Sequence, residues 1–68
     1  MNHEHMYRVD FYRDDSLIKS SIHRFYSWDH VATYIVDVLK FEYIELDDLG
    51  FYKNGVVAEI MCKNGIPF

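Results

Sequence analysis

Asn54-Gly55 sits between two apolar-rich runs, Leu49 to Lys53 and Val56 to Cys62, and this dipeptide constrains the chain more than any other feature. Both residues tolerate φ > 0, the requirement of the type I′ turn whose twist matches two antiparallel strands. A two-residue turn sets the register, with Lys53 opposite Val56, Phe51 opposite Ala58 and Leu49 opposite Ile60. That face is apolar, and Tyr52, Val57, Glu59 and Met61 fall on the other. Cys62 shares the parity of Ala58 and Ile60, so it is expected on the apolar face as a buried, inert thiol.

Upstream, Tyr7, Val9 and Phe11 alternate with Arg8, Asp10 and Tyr12 in the period of a half-buried strand, and Asp14-Asp15-Ser16 marks a turn. Leu17 to Phe25 is β-branched and aromatic with broken alternation, which predicts a bulge or an early strand end near His23-Arg24. Ser27 suits an N-cap and Asp29 a first helical turn, so a helix should begin at Trp28. Helical spacing gathers Trp28, Val31, Ala32, Tyr34, Ile35, Val38 and Leu39 on one side. Glu42 to Leu46 can extend again, either continuous with the hairpin through a bulge at Gly50 or as a separate strand.

The expected fold is therefore α+β in the order ββαββ, one helix packed on a four-stranded antiparallel sheet. Residues 1–68 form a single domain, with 1–5 and 63–68 as loose tails. A helix on one face leaves the other for solvent or a partner. The pattern puts Tyr12, Lys19, Tyr52, Val57, Glu59 and Met61 there, an apolar enough set to suggest an interface.

Composition limits what such a surface can bind. A formal net charge of -4 with scattered Lys and Arg opposes the counterion-release attraction on which nucleic-acid and anionic-membrane binding depend. Sheet aromatics such as Tyr7, Phe11 and Phe51 resemble RNA-stacking platforms, but Glu42, Glu45, Asp47 and Asp48 place acids where a basic groove would be needed. The same acidic run suits a basic cleft that ordinarily holds nucleic acid. A single cysteine and no apolar span or leader point to cytoplasmic residence, with no membrane partner.

No constellation carries catalysis. Asp14-Asp15 and Asp47-Asp48 sit in turn-like sequence without a phosphate-binding loop, and are expected to be solvated. His3-Glu4-His5 could hold Cu(II) or Ni(II) with a free amino terminus, yet a frayed polar end explains it as well. His23, His30 and Cys62 lack zinc-ligand spacing, so no metal, cofactor or enzyme activity is expected.

Val9-Asp10-Phe11, the helix segment Val31-Ala32-Thr33-Tyr34 and above all the hairpin Phe51 to Cys62 resemble the small T-even bacteriophage antitoxins of the Dmd family. At the first turn this chain carries Asp14-Asp15 where that family suggests an aromatic-Gly cluster, and it adds the Glu42 to Asp48 segment. The resemblance implies a phage-type inhibitor that occupies the cleft of a host RNase toxin. From pattern and charge, the partner-binding residues would be Tyr12, Tyr52 and Met61 as apolar anchors, with Glu42, Glu45, Asp47 and Asp48 as the charged complement to a host protein's basic cleft. The alternative is a self-associating structural or regulatory module, a homodimer formed through an edge strand or the apolar sheet face.

Overall fold

A computed structural model describes residues 3–45 and 49–67, apart from the side chains of Ile44, Glu45 and Leu49. In it, three two-residue turns have positive φ at both central positions: Asp14-Asp15 (51° and 63°), Asn54-Gly55 (51° and 82°) and Asn64-Gly65 (53° and 80°). Asp and Asn are the non-glycine residues that best accept this conformation, so each turn closes a hairpin. The elements are β1 (His5–Arg13), β2 (Ser16–Phe25), α1 (Trp28–Asp37), β3 (Glu42–Glu45), β4 (Leu49–Lys53), β5 (Val56–Lys63) and β6 (Ile66–Pro67). They form one antiparallel sheet in the order β2-β1-β5-β4-β3, with β6 also paired to β5.

The ββαββ arrangement on four strands is thus overturned: among the described residues the chain is mostly β, with six strands and one short helix. Two segments account for the difference. Glu42–Glu45 is a strand of its own, setting Tyr43 against Phe51 and Ile44 against Gly50. The third turn folds Ile66–Pro67 back onto Cys62 and Lys63, so the C-terminal segment adds a strand to the sheet. A ten-residue helix is about 15 Å long. Five strands at ~4.8 Å spacing are wider than that, and so α1 shields one face incompletely and the other not at all.

Ser27 caps α1 as expected, its hydroxyl accepting from the His30 N–H at 3.3 Å. The helix stops early because Lys40 takes a left-handed conformation (φ 64°), letting the Phe41 N–H reach back to the Ile35 carbonyl. Lys53 Nζ then donates to the Leu39 carbonyl at 2.8 Å, bringing a cation to the negative end of the helix dipole. Val31 and Ile35 are buried against Tyr7, Val9 and Phe11 of β1, Phe51 of β4 and Ala58 of β5. Val38, expected on the same side, is the C-cap and is exposed.

Two bulges redistribute the remaining side chains. Arg8 pairs with Cys62 and Val9 with Ile60, so Met61 is an extra residue in β5. Ile60 consequently stays on the helix side with Val9, while Cys62 shares Arg8's face. Cys62 is buried, but on the sheet face opposite the helix, a reversal of the parity expectation. The second bulge is at Ile18, not near His23-Arg24, because Phe11 pairs with Lys19 and Tyr12 with Leu17. Lys19 therefore lies on the helix side, its Nζ 5.6 Å from the Phe11 ring centroid, while Leu17, Ser20 and Ile22 fall on the open face.

On the helix side of β2, His23 packs on Tyr34 with ring centroids 5.2 Å apart, and its Nε2 lies 2.9 Å from Ser21 Oγ. Desolvation, and then the nearby Lys19 charge, lower its pKa from the ordinary histidine value. The folded state therefore resists a proton that the unfolded chain accepts below about pH 6.5. Stability should be fully present above that pH and fall as the pH drops toward the folded pKa. Urea unfolding at pH 7.5 and 5 should show a larger loss for the native sequence than for His23→Gln; equal losses would refute this account.

Candidate interaction surface

The face opposite α1 is built from cross-strand rungs. Leu17, Tyr12, Val57, Tyr52 and Glu42 lie opposite one another in succession across β2, β1, β5, β4 and β3. Opposed residues share a face, so this rung sets two tyrosines on either side of a valine. Tyr52 and Val57 are exposed, and Tyr12 is half-buried. The next rung runs Ser20, Asp10, Glu59, and a third runs Ile22, Arg8, Cys62, Pro67.

Asp10 organises the centre of this face. It is only 4% exposed although no helix covers it. Ser20 Oγ donates to its Oδ1 at 2.7 Å, Arg8 Nη2 and the Tyr12 hydroxyl reach Oδ2 at 3.3 and 3.4 Å, and Arg8 Nε lies 3.2 Å from Oδ1. These neighbours replace water around the carboxylate, and among the described residues no buried side-chain polar atom lacks a partner. Desolvation, followed by the Asp10 and Glu59 charges, raises the Tyr12 pKa above its ordinary value, so the phenol remains a neutral donor.

Between the tyrosines and the two neighbouring turns lies an open groove of about 520 Å³, lined by Tyr12, Asp14, Asp15, Tyr52, Val57 and Glu59. Both turns stand at one end of the sheet because Arg13 pairs with Val56, which sets Asp14-Asp15 beside Asn54-Gly55. The groove has an aromatic and aliphatic floor with three carboxylates around it.

Of the residues singled out from sequence, Tyr12 and Tyr52 meet in this groove, and Glu42 extends their rung at the β3 end. Glu45 pairs with Leu49 further along β3. Asp47 and Asp48 lie outside the described residues. Met61 is the bulge residue beside the Arg8–Cys62 pair, away from the groove. Asp14, Asp15 and Glu59, which the sequence pattern does not single out as partner-binding, border the groove. The Asn-Gly register already sets Tyr52 against Val57, but nothing local indicates that β1, and with it Asp14-Asp15, lies on the other side of β5.

Among the described residues there is no group of three or more His, Cys, Asp or Glu placed to hold a metal ion. No helix among them is long and apolar enough to cross a membrane. Comparison with protein-family models, characterised proteins and solved structures finds no match to this chain.

Proposed function

We propose that this chain is a small phage-type inhibitor that binds and blocks a host protein, a nuclease or toxin with a basic cleft, through the open sheet face. The observation that carries the reading is the Tyr12–Val57–Tyr52 rung, uncovered by the helix and bordered by Asp14, Asp15 and Glu59. Tyrosines offer large contact area at little entropic cost, and surrounding carboxylates steer a cationic surface toward them. An acidic rim on an aromatic floor mimics the charge and stacking of a nucleic-acid strand in such a cleft. The resemblance to T-even antitoxins supports the same class of target.

Capture from bacterial lysate on immobilised protein, followed by nuclease assays on what is retained, tests the reading. The expected result is a basic ribonuclease whose activity falls when the chain is added. Tyr12→Ala and Tyr52→Ala should each weaken that complex at least ~10-fold. Asp14→Asn and Asp15→Asn keep the left-handed turn and should slow association while flattening its salt dependence. A captured enzyme that stays active, or affinity unmoved by the tyrosine substitutions, would remove the proposal.

A further inference from the structure

We infer that two copies of this chain associate edge to edge through β2, antiparallel about a two-fold axis at Ile22, into one continuous sheet. β2 ends the sheet on one side, as the four-residue β3 does on the other, and is ten residues long. Leu17, Ile18 and Ile22 on it are all exposed, Ile22 at 67%.

The free backbone groups follow from the hairpin. Arg13 and Ser16 flank a two-residue turn and so form the closing hydrogen-bonded pair, after which bonded and non-bonded pairs alternate. The bulge at Ile18 absorbs one residue, so Phe11–Lys19, Val9–Ser21, Tyr7–His23 and His5–Phe25 are the bonded pairs. The N–H and C=O groups of Ser20, Ile22 and Arg24 therefore point away from β1, toward the open edge.

A second copy matches that edge in one register better than in its neighbours. A two-fold axis perpendicular to the sheet must set residues of like parity against each other, and the Ile18 bulge breaks parity beyond Lys19. With the axis at Ile22 the pairing uses all of residues 19–25, whereas axes at Ser21 or His23 shorten it to 19–23 or 21–25. The Ile22 axis sets Ile22 against its own copy, Ser20 against the partner's Arg24 and Ser21 against the partner's His23. It also sets Lys19 against the partner's Phe25, a cation beside a ring of the kind Lys19 already makes with Phe11. No like charges are directly opposed, the condition that most often disfavours a strand pair. Lysines and bulges ordinarily protect sheet edges. Here the bulge limits the pairing to one stretch and selects its register.

This association does not rest on the inhibitory reading. It leaves Tyr12, Val57 and Tyr52 uncovered in both copies, so each idea can fail without the other.

Sedimentation equilibrium across the micromolar range is the direct test. The native chain should be a reversible dimer. Ile22→Lys, which sets two ammonium groups face to face at an exposed site, should be a monomer with an unchanged circular dichroism spectrum. Ile22→Pro, which removes an N–H that points outward, should also be a monomer. On a Cys62→Ser background, Ile22→Cys should form an intermolecular disulfide on mild oxidation, since bonded antiparallel pairs hold Cα atoms about 5.5 Å apart. Ser21→Cys, on the other face, should not. A native monomer throughout, a dimer that survives Ile22→Lys, or faster cross-linking at position 21 than at 22 would overturn the inference.

Discussion

Ile35→Ala is expected to lower the unfolding free energy by about 2–5 kcal/mol, the range for removing a buried branched side chain whose surroundings only partly collapse. Ile35 is 1% exposed and packs within the cluster of Tyr7, Val9, Phe11, Val31, Phe51 and Ala58. At about 0.05–0.15 kcal/mol per residue, a 68-residue domain has roughly 3–10 kcal/mol in total, so the loss is a large share of it. Val38→Ala is the control. Helical spacing assigns Val38 to the same side, but it is 61% exposed at the C-cap and should cost no more than about 0.5 kcal/mol. Urea unfolding of both variants gives the comparison, read as a shift in midpoint at constant slope. Similar losses in the two would mean that α1 presents a different face to the sheet.

That pair of residues also shows where sequence reasoning holds and where it stops. Local chemistry is legible: the Asn54-Gly55 turn places Phe51 opposite Ala58 and Lys53 opposite Val56, and Ser27 marks the start of the helix. Its end is not, because Lys40 adopts the left-handed conformation usually marked by glycine or asparagine. The bulges at Ile18 and Met61 have no Gly or Pro to announce them. Each inverts the face of the residues beyond it, which is why Cys62 and Lys19 exchange sides relative to a strict period of two. The extent of the sheet is hidden for a related reason. Short strands such as Glu42–Glu45 and Ile66–Pro67 have little periodicity of their own and are specified by the partner strand they meet. The groove is half legible: its tyrosines follow from alternation, but its carboxylates arrive through strand order, a long-range property.

Asp10→Ala should destabilise the fold by about 1.5–3 kcal/mol, the range for hydrogen bonds to a charged group. The contribution of the Arg8 ion pair to that figure is small, since the Arg8 side chain is 45% exposed and solvent screens it. The larger part comes from Ser20 Oγ, at 2.7 Å, and from the space a carboxylate vacates beneath Arg8 and Tyr12. Asp10→Asn separates the two, because the amide oxygen can still accept from Ser20 while the charge is gone, and it should recover roughly half of the loss. A second readout distinguishes organisation of the groove from mere stability. Asp10 helps to raise the Tyr12 pKa both by its charge and by accepting the phenol's hydrogen bond, so spectrophotometric titration of Asp10→Ala should show Tyr12 moving down toward its ordinary value. With its anchor removed, Tyr12 samples more rotamers over Val57, and an inhibitory complex formed through that rung should dissociate faster even at temperatures where the variant remains folded. A variant that loses stability but leaves both the Tyr12 titration and the dissociation rate unchanged would show that Asp10 supports the sheet without shaping its open face.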